Sequence, residues 1–267
     1  MPHVIITGGS SGIGAAMAAE HARRGYAISL IARRVETLSG AGEMLDAQYG
    51  RAGARIHAES VDVRDQSGLS DAIGRCEAKF GPADVLVTSA GEVSPGEFHE
   101  LDAEDFNRQI DVNFIGTANA VRAVYPGMIA RGSGRILMIS SGAGLFGIYG
   151  YTAYCASKFA LHGFASALRA EAQPRGVNVS ICFPPDTQTP QLESEIARRP
   201  AQARAVASAG GLWTADAVAR CAMKGLESGK FEIFPGLRIG LLGRFGSPAR
   251  PALNWWFDRM AATVRKD

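Results

Sequence analysis

From its N-terminus onward, the chain sets short, nearly continuous apolar runs between longer stretches with helical spacing. Residues 4–6, 27–32, 55–61, 85–88, 135–140, 178–183 and 231–234 have the length and character of strands. Residues 15–24, 35–49, 66–80, 103–131, 153–173 and 215–227 lie between or after them and read as helices. A strand that is apolar at successive positions is buried on both faces, and alternation with helices supplies the cover. The pattern predicts an α/β fold, a Rossmann-like doubly wound parallel sheet with helices on both faces. No Pro/Ser-rich linker or internal repeat divides it, so residues 1–267 are expected to form one domain. The alternation lapses after Pro184, where a substrate lid is expected over about residues 185–212. A basic, aromatic tail is expected over about residues 235–267.

Composition narrows the classes of function. With 46% hydrophobic and 20% charged residues and a formal net charge of +2, the 267-residue chain can bury a large core. Basic and acidic residues alternate along most of it, which gives no continuous track for phosphates and argues against nucleic acid as a partner. Cys76, Cys155, Cys182 and Cys221 form no CxxC pair, and the five histidines lack metal-ligand spacing, so no metal site is expected. Reduced thiols and the absence of a leader-like pattern before Val4-Ile5-Ile6 suit a cytoplasmic protein. The uncharged stretch 136–157 has the length of a membrane span but carries four glycines and three tyrosines, and reads as strand, loop and helix start.

Three motifs carry chemistry. Thr7-Gly8-Gly9-Ser10-Ser11-Gly12-Ile13-Gly14 joins the first strand to an Ala-rich helix, placing a flexible backbone and a helix N-terminus where a pyrophosphate would bind. Taken alone, such a turn also serves merely to let a strand and helix pack closely. At the end of the second strand, where an NAD enzyme offers a carboxylate to the ribose, stand Ala32-Arg33-Arg34. Two guanidinium groups there suit a 2′-phosphate and hence NADP(H), although two arginines opening a helix are also commonly just solvated. Tyr154 and Lys158, four apart on one helix face, bring a phenol near an ammonium that would lower its pKa for proton transfer. As a bare pair, that spacing also recurs by chance.

Together, these motifs and their order resemble the short-chain dehydrogenase/reductase family over nearly the full length. The resemblance implies a catalytic set of Asn113, Ser141, Tyr154 and Lys158, taken from Asp-Val-Asn-Phe, the serine after strand five and Tyr-Cys-Ala-Ser-Lys. Tyr154 would give a proton to a carbonyl oxygen that Ser141 hydrogen-bonds. Lys158 would lower the phenol pKa and hold the nicotinamide ribose, and Asn113 would anchor a relay water. The cofactor contacts it implies are Gly8, Ser10, Ser11, Gly12, Ile13 and Gly14 in the turn, and Arg33 and Arg34 at the ribose. To these it adds Asp62, with Val63 beside it, at the adenine, Ala90 and Gly91 in the turn after strand four, and Thr187 and Thr189 near the carboxamide, as well as Tyr154 and Lys158. Ser89 departs from the family's asparagine in the Asn-Ala-Gly turn. Tyr149, Tyr151 and Ser140 are near matches that lack the spacing.

Within the family, Phe-Pro-Pro-Asp-Thr-Gln-Thr-Pro at 183–190 is similar to the 3-ketodihydrosphingosine reductases. That narrower resemblance implies NADPH-dependent reduction of a long-chain lipid ketone. The alternatives are reduction of another lipid, steroid or small ketone, and a non-catalytic cofactor-binding protein. Arg238, Arg244, Arg250, Arg259, Arg265 and Lys266 alternate with apolar residues around Trp255-Trp256-Phe257. Such a tail suits peripheral contact with an anionic membrane, or packing against the lid or a second subunit. The family resemblance also implies a homo-oligomer, a dimer or tetramer, joined through the helices at 103–131 and 153–173.

Overall fold

The computed structural model describes residues 1–50, 53–208 and 210–264. Seven strands form one parallel sheet: β1 (His3–Thr7), β2 (Ala27–Ala32), β3 (Arg55–Ser60), β4 (Val85–Thr88), β5 (Gly134–Ile139), β6 (Val177–Cys182) and, further along the chain, the short Glu232–Ile233. Their spatial order is β3-β2-β1-β4-β5-β6 followed by Glu232–Ile233, so the direction of winding reverses between β1 and β4.

The central strands are mostly apolar because each face has its own core, whereas the edge strand β3 is largely polar and not buried. In β1, Val4 and Ile6 enter one core while Ile5 enters the other. In β5, Leu137 and Ile139 alternate with Ile136 and Met138 in the same way. Helices α1 (Gly12–Ala22) and α2 (Val35–Tyr49) cover the first face. Helix α3 (Gln66–Phe80) and the helices after β4 and β5 cover the second.

The stretch read from sequence as one helix over 103–131 is two: α4 (Ala103–Ile110) and α5 (Gly116–Arg131), joined by a π-helical turn at Asp111–Ile115. A π turn widens the helix by one residue and tends to occur where a side chain is being aimed. Here the turn carries Asn113, whose carbonyl accepts a hydrogen bond from Thr117 Oγ1 at 2.9 Å. Helix α6 (Thr152–Ala172) follows β5.

The lid stretch has structure of its own. After a two-residue strand β7 (Thr187–Gln188), Thr189 caps α7 (Pro190–Ile196) by accepting from the Leu192 N–H at 3.2 Å, with Pro190 preset for the first helical position. Helix α8 (Ala201–Ser208) follows, and β8 (Trp213–Thr214) pairs in parallel with β7. Helix α9 (Ala215–Glu227) and β9, the Glu232–Ile233 strand, complete the sheet and its cover. The tail is a 28-residue helix, α10 (Leu237–Val264). Among the described residues no helix is long and apolar enough to cross a membrane. Arg265 and Lys266, named above as part of the basic tail, lie outside the described residues, as do the side chains of Arg250 and Phe257.

Candidate active site

A cavity of about 300 Å³ opens at the C-terminal ends of the parallel strands, where the winding reverses. Its base depends on backbones approaching one another. Gly8 has φ +69°, and a Cβ there would lie 2.5 Å from the Ala90 nitrogen; a Cβ at Gly14 would lie 2.2 Å from the Gly8 carbonyl oxygen. Only glycine fits either position. Gly8, Ser10, Ser11, Gly12 and Ile13 line the cavity, whereas Gly14 is buried behind them. Ser11 stands in extended backbone at the start of α1 and makes no side-chain cap bond, which leaves the first-turn N–H groups for an anionic ligand.

At the end of β2, Arg33 and Arg34 line the cavity, and no carboxylate takes their place. The Arg33 carbonyl is held by Ser60 Oγ at 3.0 Å, and its guanidinium lies 3.9 Å from Asp62. Asp62 also takes a bidentate interaction from Arg64, with contacts from 2.8 to 3.2 Å. Val63, Ala90, Gly91, Thr187 and Thr189 complete this wall. The tight glycine cradle, open helix N-terminus and cations at the second strand fit a nicotinamide dinucleotide.

Tyr154 and Lys158 on α6 meet Ser141, which caps a 3₁₀ turn (Gly142–Gly144) after β5, at the other side of the cavity. Lys158 Nζ lies 5.4 Å from the Tyr154 ring centroid and donates to the Ile139 carbonyl at 3.2 Å. Burial pushes the lysine pKa down to about 8. The phenol moves opposite to the sequence-based expectation. Burial, followed by the Glu195 carboxylate, holds Tyr154 well above its ordinary range, while the Ser141 hydroxyl beside it pulls it down. Desolvation penalises the phenolate and Glu195 adds like charge, and together these outweigh the Ser141 hydroxyl.

The near matches are engaged elsewhere. Ser140 Oγ donates to the Lys158 carbonyl at 3.3 Å, and the Tyr149 hydroxyl donates to Glu97 at 2.5 Å.

Asn113 does not line the cavity. It is fully buried: Oδ1 accepts from the Glu92 N–H at 2.8 Å, and Nδ2 donates to the Glu92 carbonyl and to Ser157 Oγ, each at 2.9 Å. Both of its N–H donors are therefore taken by protein groups. Its bonds secure the loop after β4, the turn that lacks the family's asparagine at Ser89. Ser157 passes the connection on by donating to the Tyr154 carbonyl at 2.7 Å.

A buried charged group was not found by sequence reasoning. Arg199 donates to both oxygens of Asp186 at 2.6 and 3.1 Å, to Glu195 Oε1 at 2.5 Å and to the Tyr151 hydroxyl at 3.0 Å. Tyr151 in turn donates to Glu195 Oε1 at 2.7 Å. All four residues line the cavity. The available signals were Asp186 within the proline-rich segment and the four-residue spacing of Glu195 and Arg199 in the lid.

A dinucleotide cradle leading to a phenol, a hydroxyl and a buried ammonium defines a class, the nicotinamide-dependent oxidoreductases. The comparisons agree. The family model for short chain dehydrogenase matches residues 2–200, and the chain belongs to that family. It acts on a ketone or CH–OH group and uses a nicotinamide cofactor. The chain is 37% identical over 230 residues to the 3-dehydrosphinganine reductase of Danio rerio, covering 86% of this chain and 69% of that one. It is 40% identical over 252 residues to a 3-dehydrosphinganine reductase of Arabidopsis thaliana, covering 92% and 74% respectively. The crystal structure of levodione reductase superposes with a TM-score of 0.81 at 21% identity over 90% of this chain and 97% of that one, a likeness of fold alone.

The depressed lysine pKa makes Lys158 a cost to folding. The unfolded chain holds its proton up to about pH 10.5, whereas the folded chain releases it near pH 8. The penalty, up to about 3 kcal/mol, is full below pH 8 and fades as pH rises toward 10.5. Lys158→Met is expected to be more stable than the parent at pH 7 and to lose that advantage by pH 10. Urea denaturation of both proteins across that range measures it; a gap that does not narrow contradicts the buried, pKa-depressed lysine.

Proposed function

We propose that the chain reduces the ketone of 3-ketodihydrosphingosine to the alcohol of dihydrosphingosine with NADPH, a step of sphingolipid synthesis. The observation that carries the reading is the convergence of Tyr154, Ser141 and Lys158 on one cavity whose lid-side wall is the Pro184–Thr189 segment. The named activities of the relatives support the substrate. On this reading residues 1–267 are one cofactor-binding unit, with the lid at about 185–212 and the tail at about 235–267.

When bound, the reduced nicotinamide supplies the hydride that reaches the carbonyl carbon. Tyr154 supplies the proton to the carbonyl oxygen. Its raised pKa keeps it protonated at neutral pH, the form an acid needs, and the alkoxide it meets is a far stronger base. Ser141 hydrogen-bonds the same oxygen and stabilises the charge growing on it. Lys158, still largely cationic at pH 7, offsets the phenolate left behind and holds the cofactor ribose. Asn113 positions this set from behind, through Glu92 and Ser157.

The cofactor wall is read as Gly8, Ser10, Ser11, Gly12, Ile13 and Gly14 around the pyrophosphate, Asp62 and Val63 at the adenine, and Ala90 and Gly91 beneath the ribose. Thr187 and Thr189 take the carboxamide end, and Arg33 and Arg34 the 2′-phosphate. The tail is read as lying on an anionic bilayer. Leu237, Leu241, Phe245 and Trp255 are exposed along α10, interspersed with Arg238 and Arg244.

With 3-ketodihydrosphingosine, purified protein is expected to consume NADPH, and Tyr154→Phe to lower kcat/KM by about 10²- to 10⁴-fold. Absence of turnover, with brisk reduction of a steroid or short ketone, removes the substrate assignment. An unimpaired Tyr154→Phe removes the mechanism. Arg33→Ala is expected to raise KM for NADPH about tenfold more than KM for NADH; equal changes would refute the 2′-phosphate contact. Sedimentation with phosphatidylserine vesicles is expected to fall on introducing Leu241→Glu and Phe245→Glu together, and unchanged sedimentation counts against the tail's contact with lipid.

A further inference from the structure

The lid holds a charged group that ketone reduction by itself does not need. Glu195 and Arg199, each at least nine-tenths buried, sit with Asp186 and Tyr151 in the wall of the cavity that contains Tyr154 and Ser141. Two carboxylates against one guanidinium leave the group one negative charge in excess. Both oxygens of Asp186 are engaged by Arg199, and Glu195 Oε1 receives both Tyr151 and Arg199. Among the described residues no hydrogen bond reaches Glu195 Oε2. A latch for the lid would be complete with one carboxylate per guanidinium; a second carboxylate in the cavity wall, with an oxygen not closed off by the protein, is positioned to meet a cation that enters the cavity.

The proton donor Tyr154 of the proposed reaction lies beside this charge. Tyr151, which donates to Glu195, has its ring centroid 6.2 Å from that of Tyr154, and the Glu195 carboxylate is close enough to raise the Tyr154 pKa. In a 2-amino-3-ketone the ammonium is carried on the carbon next to the carbonyl. A group that recognises it must therefore sit next to the proton donor.

We propose that Glu195, backed by the Asp186–Arg199 pair, is the subsite for the substrate's ammonium group and makes the enzyme selective for α-ammonium ketones over neutral ones. This rests on the sphingoid-ketone reading for its substrate. Arg199 orients Glu195 and keeps the site from carrying two uncompensated charges. A neutral ketone would cover the open Glu195 oxygen without giving it a partner, the arrangement by which polar sites reject analogues that lack the recognised group.

The test compares kcat/KM for two pairs of substrates, in the wild type, Glu195→Gln and Glu195→Asp. One pair is 3-ketodihydrosphingosine and the same ketone with hydrogen in place of the amine. The other is a short α-ammonium ketone and its deaminated counterpart. The wild type is expected to prefer the ammonium member of each pair by about 10- to 100-fold. In Glu195→Gln that ratio is expected to collapse toward one, with partial recovery in Glu195→Asp. A purely structural latch would lower both members alike and leave the ratio intact, which overturns the proposal. So does a wild type that shows no ammonium preference, a result readable even if the variants do not fold. If the long ketone is not turned over but the short pair shows the preference and its loss, the subsite stands and the sphingoid assignment falls.

Discussion

Asn113 is buried to the exclusion of water, and its three hydrogen bonds join the loop after β4 to α6 across the π turn that carries it. A carboxamide in that position is stable only while its donors are matched, because each unmatched buried polar atom costs on the order of 1–3 kcal/mol. The match fixes the distance between the cofactor wall at Ala90 and Gly91 and the helix face bearing Tyr154 and Lys158. The π turn follows from the same need. An unbroken α-helix through 103–131 would present residue 113 at a different angle, while the wider turn keeps its side chain facing the Glu92 backbone. Gly116 lets that turn come close to the loop after β3, since a Cβ there would lie 2.4 Å from the Val63 side chain.

With this frame fixed, the site sets burial against charge. Lys158 and Tyr154 are both forced toward their neutral forms by desolvation. For the reduction proposed above that is the useful direction for the tyrosine, which would hold a proton until a strongly basic oxygen forms. On that mechanism Lys158 would matter less as a cause of a low resting pKa than as a cation already in place when the phenolate appears. The energy of holding it there is an instance of stability given up for function at a preorganised site.

The sheet was legible in the sequence because burial on both faces leaves no freedom at strand positions. β2 and β4, like α2, α3 and α9, fall where the apolar runs and helical spacing put them. The glycine cradle was legible for a related reason: Gly8 and Gly14 stand where backbones touch, and no other residue fits. What escaped was set by partners distant in sequence. The π turn cannot be read from periodicity because one inserted residue barely alters the spacing of apolar positions. Tyr151 looked like a failed copy of Tyr154 because its partners, Glu195 and Arg199, come more than forty residues later. The direction of the Tyr154 shift was misjudged for the same reason. The sequence shows the lysine four residues away but not the burial or the lid carboxylate.

Helix α10 brings the exterior and the cavity together. Successive residues on a helix turn by about 100°, so Leu237 and Leu241 lie about 40° apart on one side while Ile239, between them, lies on the opposite side. Ile239 is buried, lines the cavity and reaches within 3.6 Å of where a Cβ on Gly142 would stand, next to Ser141. Leu237 and Leu241 are exposed. The core accounts for the inner side of the helix and leaves the outer one unexplained, because a helix that only closed the cavity would carry polar residues outward. Apolar side chains on both faces, with arginines between, suit a helix whose outer surface meets something other than water. On the proposed reading of the tail, the membrane surface and the carbonyl would lie on opposite sides of this single helix, with Ile239 facing the cavity and Leu237 and Leu241 facing outward.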